Sequence, residues 1–437
     1  MTNFARYRVL WPDHLGLARG KYLPARVADR GTAFCVGTFL LGYDREIYEV
    51  ECGMDPTGFP DVDARYDIGD ARAGWEPGTG VLVTDLTKDG ALYPVAARTA
   101  LRKAIADWKA LGYTAKVGIE LEAYIMEPDG NGGWQPFNTP SAFVYGTGPF
   151  TDPTGLIDEL MLAAEASNLP VETFNSEFDF PQFELTLEYG NALEAIDNIF
   201  LFKELARETA LAHGLLLTFI DKPITDKSGS GVHINFSMTD DDGNNAFVDT
   251  STHDGLSNLA RQCIAGLLAH HEGMSALLAP TVNSHKRLRP GGLAGYWANW
   301  GYDHRVAAVR IPPHRGSATR IEQRTGGGTA NPYIATAAVL QAALLGVTND
   351  LPCPEPETGD GFESINTERH VPDSMSAGLD ALEADTELST AIGQALVDNF
   401  VGIKRHEWDS YVAATPDWET KLDDVTPWEL DTYLPFH

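Results

Sequence analysis

The sequence predicts an α+β protein in two regions, and three observations carry that prediction. Residues 1–95 are turn-rich. They hold short β-like runs such as Tyr7–Trp11 and Gly80–Leu86, punctuated by Gly/Pro/Asp clusters at Asp55–Asp61 and Glu76–Gly80. From Ala97 the pattern turns helical in ARTALRKAIADWKALG, which stops at Gly112 as helices often do. Beyond it, helical windows at 153–167, 191–213, 255–271, 332–347 and 387–405 alternate with short strand-like runs. The change of pattern divides the chain into domains 1–96 and 97–437. No internal repeat is visible, and CPEPETGDG (353–361) reads as an exposed loop.

Composition narrows the class. With 437 residues and 43% hydrophobic content, the chain can bury a large core and is no disordered acidic tail. Asp and Glu number 62 against 32 Lys and Arg, a formal charge of −30. Such a field repels polyanions, so neither nucleic acid nor an anionic membrane is expected as a standing partner. The opening MTNFARYRVL lacks the apolar stretch of a secretory signal. The longest apolar stretch, Ile334–Val347, is too short to cross a bilayer and reads as a buried helix. The four cysteines share no metal-like or disulfide-framework spacing. A cytoplasmic location is the expectation.

Four segments carry polar groups on alternate positions. In Val117–Met126, residues Gly118, Glu120, Glu122 and Tyr124 oppose Val117, Ile119, Leu121, Ala123 and Ile125. Glu184, Thr186 and Glu188 oppose Phe183, Leu185 and Leu187. His233, Asn235 and Ser237 oppose Val232, Ile234, Phe236 and Met238. Arg320, Glu322 and Arg324 oppose Ile321 and Gln323. One such segment alone would be an ordinary half-solvated strand. Together they select glutamate, one histidine and arginine, with no lysine in any of the four runs. Carboxylates with one imidazole suit hard divalent cations such as Mg²⁺ or Mn²⁺. Arginines on the same surfaces suit phosphate or carboxylate, which guanidinium grips bidentately. Metal plus anion clamps points to phosphoryl chemistry.

At these segments the sequence resembles the glutamine synthetase family. The stretches that carry the resemblance are VGIELEAYIME (117–127), SEFDFPQFEL (176–185), GSGVHINFS (229–237), NSHKRLRPGG (283–292), DHRVAAVRIP (303–312), RIEQRTGGGTANPY (320–333) and TPWELDTYL (426–434). The resemblance implies an N-terminal β-grasp domain and a catalytic domain built as a funnel of antiparallel strands with surrounding helices. It also implies a homo-oligomer of two stacked hexameric rings, with active sites between neighbouring subunits. The implied reaction is a two-step ligation in which the γ-carboxylate of L-glutamate attacks ATP to give γ-glutamyl phosphate, and an amine then displaces phosphate. By resemblance, Glu122, Glu177 and Glu184 hold one metal and Glu120, His233 and Glu322 the other. Arg287 and Arg324 hold glutamate, beside Gly229 and Gly231, while Arg305 and Arg310 hold the transferring phosphate. Asn235 and Ser237 contact ATP. Arg305 and Arg310 differ in strand parity, so at least one is expected on a bend or loop. Of the other histidines, His213, His270, His271 and His285 read as surface, interface or helix-end residues, with His285 at the substrate entrance as a further expectation.

Three departures from the family pattern bear on the acceptor. No Asp-Gly-Ser-Ser-type loop occurs in residues 1–95, where the corresponding region reads FLLGYDREIYEV. The flap glutamate's position is taken by Leu293. The Asn-Gly-Ser-Gly before the metal histidine appears as Ser228-Gly229-Ser230-Gly231. Losing two acidic groups weakens capture of ammonium, and an apolar flap favours an amine that carries hydrocarbon. The stretches DHLGLARGKYLP and SEFDFPQFELTLEYGNAL also look more like the γ-glutamylpolyamine and γ-glutamylamide ligases. The expectation is therefore an ATP-dependent glutamate–amine ligase. Its rivals are an ammonia-using glutamine synthetase, with Asp44, Glu46 or Glu49 supplying the missing acid, and a non-catalytic family member with a binding or structural role.

Overall fold

The structure is a computed structural model that describes residues 4–54, 56–139 and 141–437; Asp55, the first residue of one turn cluster, lies outside them. The N-terminal region forms two four-stranded sheets. One has the order β2 (Ala18–Pro24), β1 (Arg6–Pro12), β6 (Thr79–Val83), β5 (Arg72–Ala73). The other runs β3 (Thr32–Cys35), β4 (Asp61–Arg65), β7 (Asp85–Lys88), β8 (Ala91–Leu92). The expected single strand Gly80–Leu86 is divided at Thr84, whose N–H donates to Leu10 O and whose hydroxyl donates to Asp85 O. β6 therefore stays beside β1 while β7 crosses to the second sheet. Trp11 packs its ring 5.5 Å from Phe34 and 5.2 Å from Phe39, centring a small core of this region.

The rest of the chain is organised on a ten-stranded sheet. Its main path is β11 (Val171–Ser176), β12 (Gln182–Leu187), β9 (Thr114–Pro128), β15 (Val232–Thr239), β18 (Ile321–Gln323), β17 (Val309–Ile311), β16 (Trp300–Tyr302). Short strands β10 (Trp134–Pro136), β13 (Gly190–Asn191) and β14 (Leu216–Thr218) add to β9. The expectation of purely antiparallel strands fails at one pair: β16 runs parallel to β17. The turn after β16 brings the chain back on the same side, through the residues that carry Arg305.

Helices cover the apolar side of this sheet. α1 (Ala97–Ala110) buries Ala97, Ala100, Leu101, Ala104 and Trp108, an i, i+3, i+4 stripe, and Gly112 turns the chain out at φ 86°. α2 (Leu156–Ala166), α3 (Ala192–Ala212), α4 (Asn258–Ala269), α5 (His271–Leu278) and the short α6 (Ser284–Arg287) follow. α7 (Pro332–Thr348) is buried almost all round, as its apolar sequence predicts, with Asn331 capping it through Tyr333 N and Ile334 N. It meets α4 at Gly266 and Gly346. A Cβ on Gly346 would lie 2.1 Å from Gln262 O, and one on Gly266 2.1 Å from Ala342 O. The window 387–405 proves to be two helices, α9 (Thr386–Ile392) and α10 (Gln394–Ala414), broken at Gly393 with φ 136°. α8 (Met375–Ala384) and α11 (Pro427–Tyr433) complete the set. The 353–361 loop has no regular structure, but Glu357 anchors it, its carboxylate accepting from Thr358 N, Gly359 N and Asn299 Nδ2. Among the described residues, no helix is long and apolar enough to cross a membrane.

One buried ion network ties the two regions together. Arg98 on α1 bridges Asp85 on β7 and Asp197 on α3, at 3.0 and 2.8 Å to the latter. Arg102 also binds Asp85 at 2.8 Å, and the Tyr333 hydroxyl donates to Asp197 at 2.6 Å. Burial opposes charge on Asp85, but the two guanidiniums outweigh it and hold its carboxyl below the ordinary 3.8. Arg98→Ala leaves Asp85 with Arg102 alone and Asp197 with the Tyr333 hydroxyl, and is expected to cost about 1.5–3 kcal/mol, read as a lower Tm. Because the folded pKa of Asp85 is depressed, its contribution is present above 3.8 and lost as pH falls below it. The Tm gap between Arg98→Ala and wild type should therefore narrow in that acid range. Gly346→Leu should lower Tm more than Leu345→Ala, because only the former forces two helix backbones apart.

Candidate active site

The long strand β9 turns Glu120 and Glu122 to one face, because alternate side chains share a side. Its register with the neighbours brings matching polar residues beside them. Glu184 lies opposite Glu122 and Thr186 opposite Glu120 on β12. On β15, His233 lies opposite Glu120 and Asn235 opposite Gly118. Asn235 in turn faces Glu322 on β18, and Glu322 faces Arg310 on β17. Four strand pairings thus assemble one polar surface from segments some two hundred residues apart. That surface is largely withdrawn from water: His233 and Asn235 are each 5% exposed and Glu322 is fully buried, while Glu120, Glu122 and Glu184 are half-buried.

Two groups of ligand atoms lie within 4.8 Å of one another, Glu120–His233–Glu322 and Glu122–Glu184–His233. His233 Nδ1 is 3.2 Å from Glu120 and 3.7 Å from Glu322, while Nε2 is 3.8 Å from Glu122. The imidazole therefore joins both groups. Burial works against charge on Glu120, but hydrogen bonds from His233 and from Asn235 (3.0 Å) prevail and hold its carboxyl at about 2. Among the described residues Glu184 has no such donors. Burial, and then the charges of Glu120, Glu177 and Glu122, push its carboxyl up to about 8. A buried set of crowded carboxylates with one imidazole fits a pair of hard divalent cations.

One member of the expected ligand sets, Glu177, lies apart from the others. Glu177 follows the end of β11 and stands outside both close groups, although it feels the charge of Glu122. Burial and that like charge raise its carboxyl. Its place next to the strand, rather than on it, is decided by the turn 177–181 and not by parity.

The arginines are arranged around these carboxylates. Arg310 donates to Glu322 at 2.7 Å and also pairs with Asp303; Arg324 donates to Glu322 as well. Arg305 sits in the turn between β16 and β17, exposed, and its carbonyl accepts from Arg324 Nε at 2.9 Å. The parity difference between Arg305 and Arg310 is thereby explained by a turn. Arg287 projects from the end of α6 and donates to Thr325 O at 3.1 Å and Arg324 O at 3.4 Å. Gly229 and Gly231 leave room for it: a Cβ would fall 2.7 Å from Arg287 Cγ at the first and 2.5 Å from Nη2 at the second. Asn235 is held between Glu120 and Arg320, and the Ser237 hydroxyl lies 2.9 Å from that of Tyr189. These two line a cleft of about 280 Å³ with Gly118, Tyr189 and Arg320.

Several residues of the site carry no role in the sequence reading. Gln182 shares the parity of Glu184 and donates to Glu122 at 3.3 Å and Gly229 O at 3.0 Å. Asp303 and Tyr189 lie outside the alternating runs, and no periodic signal marks them. His285, on α6, is not a surface residue: it is 4% exposed and its Nδ1 lies 3.0 Å from Pro372 O. His270 is the residue that ends α4, as expected of a helix-end histidine, and pairs with Asp385 at 2.7 Å.

The fold and this site define an ATP-dependent ligase. The family model for the glutamine synthetase catalytic domain matches residues 94–422, and the chain belongs to the glutamine synthetase family. Family members use ATP and divalent metals. A glutamine synthetase from Clostridium saccharobutylicum is 36% identical over 370 residues, spanning 82% of this chain and 81% of its own. The gamma-glutamylethanolamide synthetase GlnA4 of Streptomyces coelicolor is 32% identical over 430 residues, 94% and 90% of the two chains. The solved structure of apo GmaS superposes with a TM-score of 0.83 at 28% identity, covering 99% of this chain and 97% of that one.

Adding Mn²⁺ or Mg²⁺ to chelator-treated protein is expected to raise Tm, by an increment corresponding to about 2.7 kcal/mol at a hundredfold excess over Kd. His233→Ala, which removes the side chain common to both groups, should abolish most of that increment.

Proposed function

We propose that the protein ligates an amine to the γ-carboxylate of L-glutamate at the expense of ATP, through γ-glutamyl phosphate. Leu293 is the observation that carries the amine over ammonia. It stands 55% exposed where the family places an acidic flap residue, and an apolar group there disfavours a small cation while tolerating hydrocarbon. Of Asp44, Glu46 and Glu49, the three acids that could supply a substitute, one is already committed. The Asp44 carboxylate is already engaged, accepting from the Tyr48 hydroxyl and from Glu46 N at 3.1 Å. The likeness to a relative named for γ-glutamylethanolamide synthesis adds weight.

In this reading Glu120, His233 and Glu322 hold one cation, and Glu122, Glu177 and Glu184 hold the other. The cations supply Lewis-acid neutralisation of phosphoryl oxygens. Arg305 and Arg310 grip the transferring phosphate, Asn235 and Ser237 the nucleotide, and Arg287 and Arg324 the glutamate in the space that Gly229 and Gly231 leave. Residues 1–96 form a β-grasp domain and 97–437 the catalytic domain. The chain assembles as two stacked hexameric rings, with each active site completed by a neighbour. The second reading, glutamine synthetase proper, is favoured by the several relatives that bear that name.

The deciding experiment supplies glutamate, ATP and Mg²⁺ and compares phosphate release with ammonium, methylamine, ethanolamine, putrescine, spermidine and an aniline. At least one organic amine should exceed ammonium in kcat/KM; a preference for ammonium over all of them sinks the amine reading. Leu293→Glu should shift that ratio toward ammonium. Glu322→Gln should reduce turnover by about a hundredfold or more while the oligomer seen by light scattering stays intact.

A further inference from the structure

Asp221 has no part in the roles above, yet it is fully buried beside them. It follows β14, and its carbonyl oxygen accepts from Ser230 N at 2.7 Å. Its Oδ1 accepts from Thr329 N at 2.7 Å and from the Thr329 hydroxyl at 2.8 Å. Among the described residues its buried Oδ2 has no hydrogen-bond partner of ordinary geometry, although the Ser284 hydroxyl favours the charged carboxylate. One residue therefore pins two loops, 229–231 and 326–329. The first encloses Arg287 through Gly229 and Gly231, and the second continues directly from Arg324 and Thr325, whose carbonyls accept from the guanidinium.

The triple glycine Gly326–Gly328 has a reason in this contact. A Cβ on Gly327 would lie 1.8 Å from Asp221 Oδ2, and those on Gly326 and Gly328 would strike Val232 O at 2.6 Å and Phe219 O at 2.1 Å. The loop admits the carboxylate only because position 327 has no side chain. Electrostatics points the same way. Burial pulls the Arg287 guanidinium below its ordinary range, and the carboxylates opposing that are Glu122 and Asp221, with Arg324 adding repulsion. Glu122 belongs to a cation-binding group. Burial raises the Asp221 carboxyl in turn, and its hydrogen bonds and the charge of Arg287 oppose that rise. A carboxylate buried merely to accept from Thr329 would be a costly choice, since a neutral amide oxygen accepts the same bonds.

We infer that Asp221 is a positioning residue for the acid substrate: by clamping both glycine loops and standing as counter-charge to Arg287, it fixes the guanidinium that receives the substrate carboxylate. The inference rests on the reading of Arg287 as a glutamate-binding group. Asp221→Asn keeps the shape and the Thr329 bonds but removes the charge. Gly327→Ala keeps the charge but displaces the carboxylate, so it serves where the first variant fails to fold. Arg287→Gln tests the underlying reading.

All three are assayed as the full chain with Mg²⁺ and a saturating amine, for the KM of L-glutamate, the KM of ATP, kcat and Tm. Asp221→Asn and Gly327→Ala should each raise the glutamate KM about tenfold or more, with the ATP KM and kcat within about twofold of wild type. In the Asp221→Asn/Arg287→Gln double variant, the effects should be less than additive. A wild-type glutamate KM in Asp221→Asn beside a raised one in Arg287→Gln overturns the inference and leaves the reading of Arg287 standing. An unchanged glutamate KM in Arg287→Gln overturns that reading and the inference with it. An equal rise in both KM values for either loop variant, or a fall in kcat alone, reduces Asp221 to a structural residue and also overturns the inference.

Discussion

The pairing of β9 with β12 on one side and β15 on the other determines where every charged group of the site can be. Glu120 and Glu122 share a face by the pleat, and the antiparallel register then delivers Glu184, His233 and, through Asn235, Glu322 to the same surface. A shift of one residue in any of these pairings would turn a whole set of carboxylates into the apolar core. The opposite faces of the same strands, Ile119, Leu121, Leu185, Ile234 and Phe236, are fully enclosed by the helices and make that shift prohibitive. The core thus fixes the active surface by fixing register.

That surface carries like charges at short range in a buried setting, which is unstable unless something of opposite sign attends it. Two answers are visible. Arg310 and Arg324 converge on the fully buried Glu322, and donors from His233 and Asn235 keep Glu120 ionised. Glu184, without such donors among the described residues, has its carboxyl raised instead. The site is therefore divided between carboxylates compensated by the protein and carboxylates that a cation would compensate. The net charge of −30 bears on the same balance: an acidic protein draws in cations, whereas an anion entering the site depends on arginines placed locally.

Strength elsewhere goes into holding loops, because several groups of the site lie on loops and turns. Arg287 ends a four-residue helix that is anchored from behind by a buried ion pair, Lys286 to Glu429 at 2.8 Å, and by Asn283, which donates to the same Glu429. Arg305 is held through its backbone by Arg324. The N-terminal region is joined by a similar device, the Asp85–Arg98–Asp197 network.

By itself the sequence determined the alternating strands, most helices and the cluster of glutamates with His233, because each depends on a short-range period that the chain displays directly. Val117–Met126 and Val232–Met238 were legible for that reason, and so was the apolar helix from Pro332. A recognisable motif added Arg287, which no period could suggest. What only the tertiary structure decided depends on contacts between distant segments. The break at Thr84, the split at Gly393 and the parallel β16–β17 pair follow from neighbours rather than from local pattern. Glu177 falls outside the close ligand groups because a turn, which has no parity, carries it. His233 bridges both groups because two separate strand pairings meet at its ring. Asp221 was invisible in the sequence for the same reason: its partners are more than sixty residues away or across a loop, and only the missing side chain at Gly327 leaves it a place.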